Sequence, residues 1–466
     1  MGFDWTDYTL SELVEISSSK RIKRAEYIDK GIPFFRSKEI IERSKGNNIS
    51  TEIFISNERF KEIKARHGAP NKGDILLTSV GTLGVAYQVK DNEVFYFKDG
   101  NLTWFRHFKD MLNQNYLYWW LTSPLTQQKL YEVSIGSTQR ALTISALQKL
   151  KINLPDLSVQ REIVNHLEKI HNKIQLNNQI NQTLEAMAQA IFKSWFVDFD
   201  LVRAKREILN SGGSIDDAER AAMCVISSKT DEQLDEMVKS EFAELQQTAN
   251  LFPSKLVDSE LGEIPEGWEV SVLSEMINIT GGGTPKRSEE GYWGGDIPWF
   301  SIKDIPKESD IFVTNTEECI TELGLKKSST KLLEKGTTII TARGTVGKLA
   351  LTSRKMCINQ SCYGITGKEV GKFYNYYNLK LATDTLKKNV HGAVFDTITT
   401  KTFDSYKTVN PDKDISSKFE IQVEPLMQKI ESNLIKNQTL AELRDTLLPK
   451  LLLGELDVSE FLEENE

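Results

Sequence analysis

The sequence predicts a mixed α/β (α+β) protein built as a tandem repeat. Two globules alternate with two long helices, which pair antiparallel as a coiled coil about a pseudo-two-fold axis. Three observations carry this reading. The helical stretch "NKIQLNNQINQTLEAM" (172–187) returns as "QKIESNLIKNQTLAEL" (428–443), keeping Asn181-Gln182-Thr183-Leu184 as Asn437-Gln438-Thr439-Leu440. Short β-rich runs behind Lys-Gly turns, "DILLTSV" and "TTIITA", stand at matching places upstream of each copy. At 466 residues and 53.0 kDa the chain exceeds what one core fills.

The repeat extends over the globules. Trp5, Leu10, Ser11 and Glu12 face Trp268, Leu273, Ser274 and Glu275 at an offset of 263. "IPFFRSKEI" (32–40) faces "IPWFSIKDI" (297–305) at 265, and "KGDILLTSVGTLGVA" faces "KGTTIITARGTVGKLA" at 263 through the GTxG core. "GSTQRALTISAL" (136–147) then faces "GAVFDTITTKTF" (392–403) at 256, the offset the helices keep, with Pro155 opposite Pro411. Blocks in one shared order exclude chance and mark a duplicated unit.

Each globule opens with strands, among them "VFYF" and "TWFR", and closes with helical spacing in "NYLYWWLTSPLTQQKLYEV" and "FYNYYNLKLATDTLKKNV". Trp119 and Trp120 read as core aromatics. The chain divides into a first globule (1–156), a long helix (157–195), a linker with short helices (196–266), a second globule (267–412), and a second long helix with a C-terminal tail (413–466). Ser158 caps the first helix. Within the last segment, Pro425 suits a first helical position and Pro449 a stop, which restricts the second helix to about 425–447. In the linker, "SGGS" is a turn and "DEQLDEMVKSEFAELQQ" (231–247) a solvated acidic helix.

The apolar seam of the first helix runs Ile163, Leu167, Ile170, Ile174, Asn177, Asn181, Leu184, Ala188, Ile191. That of the second runs Leu426, Ile430, Asn433, Asn437, Leu440, Arg444, Leu447. Both are broken by asparagines at matching places. An amide in a seam costs stability but penalises slipped registers. Two equivalent units related by a two-fold axis direct their helices oppositely. A spacer of about 23 residues at ~1.5 Å each measures roughly 35 Å, about one turn of B-DNA.

The net charge is −8. Residues 1–150 nevertheless carry 21 Lys+Arg against 17 Asp+Glu (+4), and 268–409 carry 19 against 16 (+3), so the remainder sums to −15. Two mildly basic blocks in an acidic frame suit local phosphate contact. Cys224, Cys319, Cys357 and Cys362 form no CxxC pair, and His391 is the only histidine after residue 171, so no zinc ligand set is present. No apolar run approaches a bilayer span, and the start has no secretory signal, which makes the cytoplasm the expected compartment. Catalytic motifs are missing as well. "RGTVGKLA" (343–350) lacks the spacing of GxxxxGK[ST], and no dinucleotide-type GxGxxG, GxSxG or HExxH occurs. Nor does any Pro-Pro, which an amino-methyltransferase turn of the Asn/Asp-Pro-Pro-Tyr/Phe type needs. The GTxG segments read as tight turns between strands.

With these residues in view, the chain resembles the specificity subunit of a Type I restriction-modification system. The resemblance rests on "GDILLTSVGTLG" and "GTTIITARGTVG", the junction "AIFKSWFVDFD" (190–200), the re-entry "GEIPEGWEV" (262–270) and the ending "LRDTLLPKLLLGEL" (443–456), which span nearly the whole length. It implies a non-catalytic DNA-binding subunit with two target recognition domains, each reading one half of a bipartite asymmetric site, and a helical pair that sets the spacer. It implies, as partners, double-stranded DNA, two modification subunits with adenine-N6 methyltransferase activity, and two ATP-dependent restriction and translocation subunits of the endonuclease complex. No catalytic, cofactor or metal residues are expected on this chain. S-adenosylmethionine, ATP and Mg belong to the partners. The competing readings are a self-sufficient DNA-modifying enzyme and a coiled-coil scaffold without DNA binding.

Features shared by both units cannot distinguish two half-sites, so discrimination must lie in what differs. In the first unit the DNA-contact candidates are the stretch "IERSKGNNIS" (41–50), Lys64, Arg66, Gln139 and Arg140. In the second they are Lys286, Arg287, Lys303, Arg343 and Lys348. Arg can fork onto guanine and Gln onto adenine, each worth ~1–3 kcal/mol of discrimination.

Overall fold

The computed structural model describes residues 5–46, 49, 51–136, 140–306, 310–389, 397–456 and 458. It separates into two compact units, one formed by Met1–Ile174 with Thr439–Glu466 and the other by Gln175–Gln438. Each long helix contributes one segment to each unit.

In the first unit a four-stranded antiparallel sheet runs in the order Glu15–Ser17, Leu102–Arg106, Ile75–Thr78, Ala86–Gln88. All four residues of Ile75–Thr78 are buried, as expected of an unbroken apolar run walled on both faces. Beside it, Ile32–Phe35 pairs parallel with Tyr96–Phe97 and antiparallel with Phe54–Ile55. Thr6–Thr9 closes on Lys151–Leu154.

The second unit repeats this wiring and adds one strand, Phe312–Val313, which pairs parallel with Leu349–Thr352. Ile75↔Gln88 and Leu76↔Tyr87 become Thr338↔Leu351 and Ile339↔Ala350, both partners moved by 263. The parallel pair Phe34↔Tyr96 becomes Trp299↔Cys357, and Thr6↔Leu154 becomes Glu269↔Asn410. Even the single bridge Val80↔Ala141 recurs as Arg343↔Thr397. Hydrogen-bond register is a stricter criterion than similar residues, because a one-residue slip turns every side chain to the wrong face. The tandem repeat is therefore a repeat of structure.

The closing helices differ in one respect. "NYLYWWLTSPLTQQKLYEV" forms two helices, Gln114–Thr122 and Pro124–Val133, because Pro124 ends the first and starts the second under a Ser123 cap. The second unit has no proline there and keeps one helix, Lys372–Asn389. Trp119 and Trp120 are each 5% exposed and belong to the core.

The long helices are Leu157–Phe196 and Lys413–Leu452, 40 residues each, and the first starts ahead of Ser158, which lies inside the helix and is not its cap. The second overruns the expected 425–447 at both ends. Pro425 removes the bond to the Ile421 carbonyl, but Ile421 lies on the exposed side, where water can satisfy it. Meanwhile Phe419, Val423, Met427 and Ile430, all at 0% exposure, bury a continuous stripe across the proline. At the far end Leu448, Leu451 and Leu452 enter the core of the first unit with Ile163 and Leu167. That packing carries the helix past Pro449.

The helices are antiparallel, and the amides show it. Asn177 Nδ2 donates to Asn437 Oδ1 at 2.8 Å, and Asn433 Nδ2 to Asn181 Oδ1 at 2.8 Å, so the partner number falls as the first rises. Asn437 Nδ2 also reaches Asn178 Oδ1 at 2.7 Å. Asn177, Asn181 and Asn433 are buried. Of the other seam positions, Ile163, Leu167, Ala188 and Ile430 are buried, and Ile170, Ile174, Leu184, Ile191, Leu426, Leu440, Arg444 and Leu447 are half-buried.

Between the repeats lie Asp200–Asn210, Ile215–Ser227, Asp231–Asp235 and Lys239–Asn250. The single acidic helix expected over 231–247 is two helices, because Val238 is extended and starts a new one. Lys205 is buried and donates to the carbonyls of Ala249 and Phe252 at 2.7 and 2.8 Å, capping the last helix. The "AIFKSWFVDFD" motif is a packing hub. Trp195 and Phe196 join Phe252, Trp268, Tyr374 and Phe419, with Phe196 set edge-on to Tyr374 at 4.8 Å.

Glu420 fastens the second long helix to its globule by accepting the N–H groups of Phe373 and Tyr374 at 2.8 and 2.9 Å. Burial outweighs these bonds and pushes its carboxyl up to about 7. A raised carboxyl stabilises the fold most when protonated, and that contribution is lost as pH rises from the unfolded value near 4.5 through about 7. Glu420→Gln keeps an acceptor without the charge. It should flatten the stability profile over that window by on the order of 1–3 kcal/mol, read from denaturant midpoints at several pH values. The amide pair gives a second expectation. Asn433→Leu strands Asn181 and should cost ~1–3 kcal/mol, whereas Asn181→Leu with Asn433→Leu removes both partners and should restore or exceed the original midpoint. Equal midpoints for the single and double variants would show that the pair contributes nothing.

Candidate nucleic-acid interface

The GTxG segments are the tips of the central hairpin in each unit. Gly81, Gly84, Gly344 and Gly347 all have φ between 72° and 81°, a conformation that favours glycine. In each tip the last glycine donates back across the turn, Gly84 to Thr78 O (2.9 Å) and Gly347 to Thr341 O (2.8 Å). The threonine hydroxyl then accepts the next N–H, from Val85 at 2.9 Å or Lys348 at 3.0 Å. A side chain from the closing helix braces each tip from an equivalent position. Gln127 Nε2 bonds Gly84 O at 2.8 Å, and Lys387 Nζ bonds Gly347 O at 3.0 Å. One scaffold therefore presents different chemistry in the two units, Val80 and Gln127 against Arg343 and Lys387.

The candidates from the sequence fall into distinct groups. Arg140 is committed internally. Its guanidinium lies 3.9 Å from the Tyr131 ring centroid and donates to Tyr131 O and Ser134 Oγ, both at 3.1 Å, so it closes the C-terminal end of the helix Pro124–Val133. Arg287 is held twice, by Glu318 (Nη2 to Oε2, 2.9 Å) and by the Trp293 ring at 3.9 Å. Its hydrogen bond holds the Glu318 carboxyl below the usual range. Lys286 pairs with Glu289 at 3.0 Å, Lys303 with Glu317 at 3.5 Å and Arg66 with Glu62 at 3.2 Å, all on exposed side chains where such pairs exchange readily. Lys64 is exposed in the last turn of the helix Asn57–His67. Lys348 is half-buried behind its tip. Gln139 lies outside the described residues, as do residues 47, 48 and 50 of the 41–50 stretch.

Arg343 stands apart. Its backbone is bridged to Thr397, and the neighbouring Ala342 N–H donates to Ser361 O at 2.7 Å while its carbonyl accepts from Ile398. The residue is exposed, and no ion pair among the described residues holds its guanidinium. A rigid backbone thus presents an uncommitted fork.

The sequence reading passed over one element. A cavity of about 520 Å³ in the first unit is lined by Ser18, Ser19, Lys20, Arg66, His67, Asn71, Trp104, Arg106 and His107, among others. Arg106 lies 4.3 Å from the Trp104 ring centroid and donates to His67 O at 3.0 Å. His107 Nδ1 donates to Glu15 Oε2 over 2.7 Å, and that bond leads the causes holding Glu15 below its ordinary value. The run "KRIKR" (20–24), whose Lys20 lines this cavity, has the compositional signature of a phosphate contact. Among the described residues no three His, Cys, Asp or Glu side chains are grouped to hold a metal ion, and no helix is long and apolar enough to cross a membrane.

The model of the Type I restriction modification DNA specificity domain matches this chain twice, over residues 3–186 and 265–443. The chain belongs to the Type I restriction specificity family. The HindI specificity subunit of Haemophilus influenzae is 32% identical over 468 residues, covering 97% of this chain and all of that protein. The MjaIX specificity subunit of Methanocaldococcus jannaschii is 25% identical, covering 98% and 94%. Among solved structures, the S subunit of a Type I system from M. genitalium shares the fold with a TM-score of 0.53 at 15% identity, covering 96% of each chain. The two matched stretches of this specificity-family chain coincide with the two structural repeats, and the helices of residues 200–250 fall between them.

Proposed function

We propose that this chain is the DNA-recognition subunit of a Type I restriction-modification complex, each repeat reading one half of a bipartite asymmetric site while the paired helices fix the unread spacer. The observation that carries this reading is the pair of hairpin tips. Identical hydrogen bonds hold both, so both can approach a duplex in the same way, yet Val80 and Gln127 in one answer to Arg343 and Lys387 in the other. Shared backbone positions the unit and unshared side chains read the sequence. In this reading the chain itself catalyses nothing. Two modification subunits bring S-adenosylmethionine and adenine methylation, two restriction subunits bring ATP- and Mg-dependent translocation and cleavage, and the complex works in the cytoplasm. Lys64, Arg66, Gln139, Lys286, Lys303 and Lys348 remain DNA-contact candidates beside Arg343. Arg140 and Arg287 would serve as supports of the reading surface, given their internal bonds.

The test is to reconstitute the chain with its modification subunit and map the methylated adenines on random-sequence DNA. A bipartite motif is expected, and methylation without one would overturn the proposal. Arg343→Ala should weaken binding by ~1–3 kcal/mol and relax base preference in one half-site only. Equal affinity and an unchanged motif would remove Arg343 from the interface. Inserting four residues after Asn177 and again after Asn433 adds ~6 Å to each helix and, because both insertions fall between the two amide rungs, leaves Asn177 opposite Asn437 and Asn181 opposite Asn433. The selected spacer should lengthen by about one or two base pairs. A spacer of unchanged length would show that the helices are not the ruler.

A further inference from the structure

The run Lys20, Arg21, Lys23 and Arg24 places four cations in five residues. All four side chains are exposed, while Ile22 between them is 5% exposed and anchors the segment in the core. The Lys20 N–H donates to the Tyr96 hydroxyl at 2.8 Å, which fixes the start of the run, and a short 3-10 turn over Arg24–Glu26 fixes its end. The nearest acid in sequence, Glu26, is taken by Arg59. Among the described residues no ion pair neutralises the four cations. Lys20 reaches the 520 Å³ cavity, where Arg66, Arg106, His67 and His107 are the other ionisable linings, Arg106 and His107 paired with Glu15 and Arg66 with the exposed Glu62. Arg24 faces a second concavity of about 400 Å³ that also holds Arg36 and Lys98, with Asp29 and Glu52.

The repeat supplies an internal control. At the 263-residue offset, Lys23-Arg24 corresponds to Lys286-Arg287. There Glu318 and the Trp293 ring hold Arg287, and Lys286 meets Glu289 in an exposed pair. The arginine at this position is thus electrostatically open in one unit and closed in the other.

Building on the DNA-recognition reading, we propose that Lys20, Arg21, Lys23 and Arg24, with Arg66, form a phosphate-contacting surface of the first unit that the second unit lacks. The first half-site is then gripped through its backbone, with counterions released at about one per phosphate neutralised. The second depends more on contacts to base edges. Backbone contacts carry no sequence information, so this surface sets affinity and salt dependence and leaves the recognised sequence alone.

The experiment measures the affinity of the full chain, complexed with its modification subunit, for a duplex bearing the mapped site between 50 and 300 mM salt. Replacing Lys20, Arg21, Lys23 and Arg24 together by Gln should reduce the slope of log K against log salt by about three to four, at ~0.9 per phosphate contact. The methylated motif should stay the same. Lys229→Gln with Lys239→Gln, two exposed cations of the segment between the repeats, should leave the slope unchanged. Far-UV melting confirms that each variant is folded, and Arg66→Gln alone, expected to lower the slope by about one, keeps the proposal testable if the quadruple variant does not fold. An unchanged slope with site-specific binding retained would overturn this inference and leave the DNA-recognition reading standing. Absence of site-specific binding by the unsubstituted complex would instead overturn that reading.

Discussion

The architecture depends on a few buried amides between two helices. Apolar seams alone would tolerate sliding by a turn, since one leucine-lined stretch packs against another nearly as well. Asn177, Asn181, Asn433 and Asn437 do not tolerate it. Only the observed alignment lets Asn177 meet Asn437 and Asn433 meet Asn181. Any slip buries donors and acceptors without partners, at ~1–3 kcal/mol for each group. Register is therefore fixed by polar groups inside an apolar contact, at some cost in stability. In the proposed role, where the paired helices set a distance along DNA, register is the property that must be held.

The antiparallel sense follows from duplication. In the aligned repeats Asn177 corresponds to Asn433 and Asn181 to Asn437. A parallel pair would set each amide against its own counterpart. The antiparallel pair sets the first amide of one copy against the second amide of the other, and the ladder maps onto itself when the copies are exchanged. One short sequence element can thus supply both halves of a lock.

How much of this was legible in the sequence depended on whether the deciding interaction was local. The repeat was legible because strand pairing preserves residue identity at fixed offsets, and the seam amides because they interrupt a simple period. The ends of the second long helix were hidden. Pro425 and Pro449 are local signals for a boundary, whereas Phe419, Val423, Leu448 and Leu451 override them through packing with distant residues. The candidate site was the least legible. Arg287 looks like any surface arginine until Glu318, 31 residues on, is seen to hold it, and the "KRIKR" run escaped notice because its openness depends on which acids the fold brings near. Counting charges in a segment cannot show which of them are already paired.

The symmetry of the ladder is broken at one place. Exchange of the copies turns the bond from Asn437 Nδ2 to Asn178 Oδ1 into a bond from Asn181 Nδ2 to residue 434, and residue 434 is leucine. Asn181 Nδ2 accordingly finds no acceptor among the described residues, although Asn181 is fully buried. Leu434 instead packs against the apolar core of its unit. The second copy has exchanged an acceptor for buried apolar surface. Leu434 is half-buried and gains part of the ~1.5–3 kcal/mol of a fully buried leucine, while an unpaired amide donor costs ~1–3 kcal/mol, so the exchange is close to neutral in stability. It is not neutral in kind, because it makes the two faces of the lock unequal while leaving the two bonds that fix register intact. Duplicated helices can diverge at a position that adjusts packing, but both bonds that set alignment must be kept if the register of the pair is to survive the divergence.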